Sequence, residues 1–364
     1  MVKIYVHAAK CFRSFSAISF CVVWFLTAFF LFCNAAVAGM FPGKHSGKVV
    51  MEFDFSHYPS SKEVRLWLPY PVSDKWQKVD QISVKGNYDY EAILTEQKFK
   101  NPILFVRWNK GKVKRRLSFS FVVERLERRE GQLPKEEPCW DRAFFKKYLA
   151  ATSLAPVTGE VARLAHSITK DKKTIREKAR AIYDWICDQM HRDPGVKGCG
   201  SGDVCLILDR RGGKCVDIHS VFVALARAAG VPAREVFGIR QGKDKVTDIT
   251  KWYHCWGEFY EPGYGWVVVD PADVTKAMLV EGLSRDNPKI KRLREYFWGT
   301  VEPYRLRLSS GRDVMLNPRQ HGKALNYFMY PFAQVGEKTL DWLDPKGFSY
   351  KVMWYPLADE ERTR

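Results

Sequence analysis

The segment from Cys215 to Ala229 constrains the fold more narrowly than any other, because its apolar residues recur at the spacing of a helix face. Residues at positions i, i+3, i+4 and i+7 lie on one side of an α-helix. The apolar residues with this spacing are Ile218, Val221, Phe222, Leu225, Ala226 and Ala229. Gly230 and Pro232 follow directly, and both residue types are typical of a helix end. We therefore predict one helix over residues 215–229, with Cys215 in its first turn.

This position predicts that Cys215 is a reactive thiol. The first turn of a helix presents unpaired backbone N–H groups and the positive end of the helix dipole, and both stabilise a thiolate. We expect the pKa of Cys215 to lie below the value of about 8.5 that is typical of a free cysteine. Gly212 and Gly213 precede it. Without Cβ atoms they are expected to allow a sharp turn and the close approach of a substrate backbone to the sulfur.

A histidine and an aspartate follow on two predicted strands, at residues 252–260 and 265–270, which the turn sequence Pro262-Gly263 separates. In such a hairpin His254 and Asp270 lie near the same end, although the sequence does not fix the register. An imidazole that takes the thiol proton and a carboxylate that orients the imidazole would complete a nucleophilic site. We therefore predict Cys215, His254 and Asp270 as the catalytic residues.

The motifs around these three residues resemble those of the transglutaminase-like superfamily. The motifs are Gly212-Gly213-Lys214-Cys215, Trp252-Tyr253-His254 and Val269-Asp270-Pro271, in the family's order of cysteine, histidine and aspartate. The resemblance extends over residues 176–273 and includes 230–234 and 263–266. It implies an α+β, papain-like core in which a helix carries Cys215 and an antiparallel sheet carries His254 and Asp270. The Cys215 backbone N–H is the expected first oxyanion donor, and no side chain upstream matches the family's second donor.

The expected chemistry is attack of the Cys215 thiolate on an amide carbonyl, followed by a thioacyl intermediate and release of an amine assisted by His254. Water as the second acceptor gives a peptidase or amidase, and a lysine amine gives a transglutaminase-type isopeptide bond. Hydrolysis is favoured, because cross-linking requires a site that excludes water and nothing in the sequence indicates one. A non-catalytic module that binds a peptide or an envelope polymer is one further alternative, and a structural or interaction role based on the basic surface and the β-rich domain is another.

No cofactor or metal is expected, and no calcium-binding loop is visible. A zinc site is the alternative interpretation of five residues, although their spacings are irregular and no Cys-x-x-Cys pair occurs. These residues are Cys187, His191, Cys199, Cys205 and Cys215.

The N-terminus has the pattern of a signal peptide over residues 1–38. Basic residues precede an apolar stretch at 15–32, and Ala36-Val37-Ala38 has the form of a cleavage site. The protein is therefore predicted to be exported to the periplasm or beyond. Because the apolar stretch is longer than an ordinary signal core, an uncleaved membrane anchor is the alternative.

Cleavage after Ala38 would leave six cysteines, and an oxidising compartment favours disulfides between them. Cys199 and Cys205 are close in sequence and are the first suspects, although the sequence does not determine connectivity. Cys255 adjoins His254 and is expected to point to the opposite strand face in a structural role. Asp217 is interpreted as a partner of the helix dipole, and His219 receives no role.

The formal net charge is +18 over 364 residues, and removal of Lys3, Lys10 and Arg13 lowers it by three to +15. An exported basic protein favours anionic neighbours such as cell-envelope components, alongside its protein or peptide substrate. Nucleic acid is not an expected partner outside the cytoplasm. A solvated basic surface explains the charge equally well, and the densest basic run, at residues 110–116, is expected to be exposed.

Three domains are predicted. Alternation of apolar and polar residues at 49–55, 63–68 and 117–122 indicates a β-sandwich over 39–130. The catalytic core is assigned to 131–281 and opens with helices near 158–168 and 175–190, the second with a capping box of Thr174 and Glu177. A C-terminal extension at 282–364 is expected to wrap the core. Its aromatic residues are interpreted as buried, with an aromatic-lined substrate cleft as the alternative.

Overall fold

Buried and exposed side chains alternate along the first strands, as the two-residue period of a strand requires. These strands pair in antiparallel sheets. The computed structural model describes residues 40–357, so the predicted signal peptide at 1–38 lies outside the described residues. The first seven strands are β1 (Lys44–Asp54), β2 (Val64–Pro69), β3 (Gln77–Gly86), β4 (Tyr90–Thr95), β5 (Pro102–Trp108), β6 (Arg116–Leu126) and β7 (Arg128–Arg129).

The later strands are β8 (His191–Arg192), β9 (Gly212–Gly213), β10 (Ala233–Arg240), β11 (Thr247–Asp248), β12 (Tyr253–Glu261), β13 (Gly265–Val269), β14 (Thr300–Val301), β15 (Arg305–Ser310), β16 (Phe332–Val335), β17 (Lys338–Thr339) and β18 (Tyr350–Pro356). The helices are α1 (Lys146–Leu149), α2 (Gly159–Thr169), α3 (Ile175–Gln189), α4 (Val204–Arg210), α5 (Cys215–Ala228), α6 (Pro271–Glu281) and α7 (Pro288–Tyr296). A short 3-10 helix, Arg142–Phe145, precedes α1.

Two five-stranded antiparallel sheets form a β-sandwich. Their strand orders are β11-β18-β1-β6-β3 and β17-β16-β2-β5-β4. Aromatic pairs join the sheets, with ring centroids 5.5 Å apart for Phe55 and Trp108 and 6.0 Å apart for Tyr70 and Phe119. Both sheets contain late strands, since β18 pairs with β1 and β16 pairs with β2. The C-terminal segment thus completes the sandwich, and the exact domain boundaries remain predictions.

The catalytic core is a four-stranded antiparallel sheet of order β13-β12-β10-β15 with helix α5 packed on it. The sheet-and-helix arrangement confirms the predicted α+β fold class with a preceding β-rich domain. The β12–β13 hairpin is also confirmed, and Gly257 opposite Val269 is the last residue pair before Asp270. The fourth strand, β15, comes from the C-terminal segment and pairs with β10.

Helix α5 confirms the predicted start at Cys215, but it is buried on all sides rather than along one apolar stripe. Its polar residues Asp217, His219 and Arg227 are buried together with its apolar face. Helices α2, α3, α4 and α6 surround it. A central helix can carry polar residues only if each finds a partner inside the protein, and these partners define the site described below.

Local signals placed the flanking helices accurately. Helix α3 has the predicted capping box, in which Thr174 Oγ1 accepts from the Glu177 N–H at 3.2 Å and Glu177 Oε2 accepts from the Thr174 N–H at 3.0 Å. The basic run at 110–116 is only partly exposed. Arg115 is buried because its guanidinium donates to the carbonyl oxygens of Ser60 and Lys62, at 3.1 Å and 2.8 Å. Within residues 40–357, no helix has the length and apolarity to cross a bilayer.

Candidate active site

Cys215 opens α5 and is only 2% exposed. Asp217 fixes the approach to the helix, because its Oδ2 accepts from the Lys214 N–H at 3.0 Å and its Oδ1 accepts from the Gly202 N–H at 2.9 Å. Burial raises the pKa of Asp217. Asp217 lies in the first turn of the helix, as expected. Its two hydrogen bonds also hold the backbone at Gly202 and at Lys214, which directly precedes Cys215.

Gly212 and Gly213 are required for packing against this chain's own side chains. A Cβ atom on Gly212 would lie 2.4 Å from His191 Nε2, and one on Gly213 would lie 2.4 Å from the Cβ of Asp217. Neither glycine has a positive φ. His191 and Asp217 fill the space that a Cβ atom would need, so packing explains both glycines, and the approach of a substrate backbone to the sulfur stays a prediction.

The structure brings Cys215, His254 and Asp270 together. His254 is 3% exposed at the start of β12, and its Nε2 donates to Asp270 Oδ2 at 2.8 Å. The His254 imidazole also lowers the pKa of Cys215, and Nδ1 is the ring nitrogen that does not bond to Asp270. The order of contacts is thiol, imidazole, carboxylate, which is the arrangement that activates a nucleophile.

Asp270 is the most heavily bonded side chain of the site. Its Oδ1 accepts from the Asp273 N–H at 2.8 Å, which caps α6, and from His219 Nε2 at 3.1 Å. Its Oδ2 accepts from His254 and from Arg305. Burial raises the pKa of Asp270, but the positive charge of Arg305 and the two histidines outweigh burial and hold the pKa well below its usual value. Asp270 is therefore a carboxylate at neutral pH.

Arg305 is a functional residue that sequence reasoning missed. Its guanidinium is fully buried and contacts Asp270, Asp273 Oδ2 at 2.7 Å and Glu302 Oε1 at 2.7 Å. Arg240 neutralises the same acidic group from the neighbouring strand, with Nη2 2.5 Å from Asp273 Oδ1. A buried charge requires such partners. The sequence did contain one signal for such a residue. Asp270 and Asp273 are two acidic side chains at the end of a buried strand, and their charge requires a basic partner.

Two further thiols flank the nucleophile. The side chains of Cys199 and Cys255 lower the pKa of Cys215 more than His254 does, against the opposing effect of burial. The net pKa of Cys215 lies well below its usual value. Its charge and burial raise the pKa of both neighbours. The Cys215 thiolate is therefore stabilised by two neighbouring cysteines, Cys199 and Cys255, together with His254.

Cys255 and His219 form a second chain of contacts that ends at the same aspartate. The Cys255 sulfur lies 3.3 Å from His219 Nδ1, and His219 Nε2 donates to Asp270. Both side chains are buried. Cys255 was expected to be structural and His219 had no role, yet both belong to the site because α5 packs directly against β12.

The predicted disulfide between Cys199 and Cys205 is wrong. The six cysteines from Cys139 onward are all free thiols. The Cys199 sulfur is directed inward, 3.2 Å from the Tyr253 carbonyl oxygen and 3.2 Å from the Tyr330 hydroxyl, which donates to it. Cys205 lies exposed on α4. Closeness in sequence did not reveal that the two side chains point in different directions.

Among residues 40–357, the group of metal-type ligands within 4.8 Å of one another is His254, Asp270 and Asp273. It shares no member with the five residues of the alternative zinc interpretation. Both carboxylates already pair with Arg305. A guanidinium thus supplies the positive charge that a metal ion would otherwise bring to this group.

A cavity of about 320 Å³ adjoins the site. Lys214 and Gly198, which line it, directly precede Cys215 and Cys199, and Tyr330 reaches Cys199 from its wall. The lining residues are Lys197, Gly198, Lys214, Thr250, Lys251, Tyr330, Trp342, Leu343, Pro345, Phe348 and Tyr350. This volume is within the range of about 300–1,000 Å³ found for small-molecule pockets.

Comparison with known proteins agrees with this geometry. A family profile of the transglutaminase-like superfamily matches residues 162–271, which include Cys215, His254 and Asp270. An uncharacterized protein from Haemophilus influenzae is 36% identical over 316 residues, which cover 80% of this chain and 86% of that protein.

Among solved structures, a candidate cysteine protease from Cytophaga hutchinsonii shares the fold, with a TM-score of 0.51, 15% identity and coverage of 86% of this chain and 98% of that chain. The periplasmic domain of TgpA from Pseudomonas aeruginosa aligns with a TM-score of 0.36 and 15% identity, over 69% of this chain and 93% of that chain.

Proposed function

The chain belongs to the transglutaminase-like superfamily, and on that premise we propose that it is a cysteine-dependent enzyme that hydrolyses amide bonds in protein or peptide substrates. The observation that carries the proposal is the buried sequence of contacts from Cys215 through His254 to Asp270. The lowered pKa of Cys215 supports a thiolate nucleophile at neutral pH.

In the first half-reaction the Cys215 thiolate attacks the amide carbonyl carbon. The backbone N–H of Cys215 lies in the first turn of α5, where N–H groups lack a partner within the helix, and it is a suitable donor to the oxyanion. His254 then donates its Nδ1 proton to the leaving nitrogen, the carbon–nitrogen bond breaks, and the amine leaves. A thioester on Cys215 remains.

In the second half-reaction water attacks the thioester. Neutral His254 accepts a proton from that water, and Asp270 stabilises the imidazolium that results. The carbon–sulfur bond breaks, the acid product leaves, and the thiolate–imidazolium pair is restored. Asp270 remains ionised throughout, because Arg305 and His219 hold it in that state.

The test is to incubate the full chain with a mixture of unlabelled peptides and to identify new peptide ends by mass spectrometry, with a biotinylated primary amine present in a parallel sample. Cys215→Ala should abolish the new ends, and Cys205→Ala, at an exposed cysteine outside the site, should leave them unchanged. Amine incorporation in place of new ends would instead identify a cross-linking enzyme. Equal products from Cys215→Ala and the unaltered protein would refute the proposal.

The same proposal places the enzyme outside the cytoplasm, on the basis of the signal-peptide pattern at residues 1–38. Fractionation of cells that express the chain, followed by N-terminal sequencing of the product, tests this. A product that begins at Gly39 in the exported fraction supports cleavage. A membrane-bound product that retains residues 1–38 supports the anchor instead, and a cytoplasmic product refutes export.

A further inference from the structure

The cavity beside Cys215 has an unbalanced charge. Three of its eleven lining residues are lysines, Lys197, Lys214 and Lys251, and none is an aspartate or glutamate. Lys197 pairs with Asp341 at 3.0 Å, but both side chains are more than half exposed, and such pairs are weak. Within residues 40–357, neither Lys214 nor Lys251 has a carboxylate within 4.0 Å. The lining of the cavity therefore carries net positive charge, although Asp341 and Asp248 lie near Lys197 and Lys251.

The walls of the cavity are aromatic. Tyr330 and Trp342 stack with ring centroids 5.8 Å apart and an angle of 15° between their planes. Phe348 and Tyr350 extend the apolar surface. An occupant with apolar surface and negative charge would match both the aromatic walls and the lysines.

The cavity also leads away from the nucleophile. It shares Thr250, Lys251 and Tyr350 with a larger groove of about 1,030 Å³ along the β-sandwich. An extended chain could therefore continue from the cavity into the groove. An acidic peptide matches both the elongated shape of this space and the positive charge of its lysines.

From these features we infer that the cavity binds an acidic peptide segment next to the amide that Cys215 attacks, so that aspartate or glutamate near the cleaved bond selects the substrate. This inference rests on the proposed function and adds its substrate class. The lysine amines supply attraction to the carboxylates, and the aromatic walls contact the apolar parts of the peptide. Lys214 directly precedes Cys215 and so places one charge beside the reacting carbonyl.

The test compares two peptides that differ only in glutamate or glutamine beside the cleaved bond. Each ion pair at a partly exposed lysine contributes a factor of about three, so two lysines favour the glutamate peptide about tenfold in kcat/KM. The difference should lie mainly in KM. It should disappear in Lys214→Met combined with Lys251→Met, fall to about threefold in Lys251→Met alone, and persist in Lys110→Met, an exposed lysine outside the cavity.

Equal cleavage of the two peptides by the unaltered protein would overturn the inference while leaving the proposed hydrolysis intact. If neither peptide is cleaved, fluorescence anisotropy of the labelled peptides with the Cys215→Ala protein decides the inference separately. Tighter binding of the glutamate peptide that requires Lys251 supports it. Binding to vesicles of phosphatidylcholine with 30% phosphatidylglycerol, without discrimination between the peptides, would assign the lysines to an anionic surface and overturn it.

Discussion

Replacement of Arg305 by methionine should destabilise the protein strongly, because it leaves Asp270, Asp273 and Glu302 without their shared cation. Arg305 is fully buried and contacts all three carboxylates. Loss of one partner from a buried ionic group costs about 3–5 kcal/mol in the free energy of unfolding. Arg307 is the matched control, since it lies two residues further along β15 and its pair with Asp74 is about one-third exposed. Arg307→Met should cost less than about 1 kcal/mol.

The pH dependence gives a second signature of the same variant. The pKa of Asp270 is held well below its usual value and that of Asp273 is lowered to about 2. A carboxyl group with a depressed folded-state pKa contributes stability above its unfolded pKa of about 3.9, and this stability is lost as pH falls through the folded value. Without Arg305 these pKa values rise. The deficit of the variant is therefore largest near pH 7 and shrinks as pH falls below about 4.

Urea unfolding followed by tryptophan fluorescence measures both effects, at pH 7 and again near pH 3, between the folded and unfolded pKa values. Equal m-values for the variants are required before the free energies are compared. Arg305→Lys should give an intermediate loss, because it keeps the charge but cannot reach three carboxylates as a planar guanidinium does. If Arg305→Met loses no more stability than Arg307→Met, or if its deficit grows as pH falls, the account of Asp270 given above is refuted.

Three further predictions concern the reactivity of the site. Alkylation of Cys215 by iodoacetamide should remain rapid well below pH 8.5 because its pKa is lowered, and His254→Ala should move the labelling profile, read by peptide mass, to higher pH. Cys199→Ala should move it in the same direction, since Cys199 is the largest cause of the low pKa; an unchanged profile would contradict a role of Cys199 in stabilising the thiolate. His219→Leu removes a hydrogen bond to Asp270 worth about 1 kcal/mol and should lower kcat about fivefold with little change in KM, and a change in KM alone would contradict a positioning role.

Sequence reasoning succeeded where the signal is local. The start of α5 at Cys215 and the cap of α3 at Thr174 each depend on residues that are only a few positions apart in the chain. The hairpin that carries His254 and leads to Asp270 depends on one turn, although its register became known only from the structure. These local signals, together with the resemblance to the transglutaminase-like superfamily, predicted the papain-like core and the three candidate catalytic residues.

The remaining contacts join parts of the chain that no local pattern connects. Arg305 lies 35 residues from Asp270, and Tyr330 lies 131 residues from Cys199. The alternation of β1 predicted a strand but not its neighbour, which is β18 from the far C-terminal segment. The pairing of Cys199 with Cys205 failed for the same reason, because the direction of a buried side chain depends on partners that are distant in sequence.

Because β15 comes late in the chain, its position determines when the candidate site is completed during synthesis. The ribosome delivers Cys215, His254 and Asp270 before Arg305, Tyr330 and the strands that close the sandwich. A nascent chain that has passed Asp270 therefore holds that aspartate without its guanidinium clamp and lacks one wall of the cavity beside the nucleophile. The surroundings of Asp270 and the wall of the cavity are therefore completed only when the later residues have folded back onto the core.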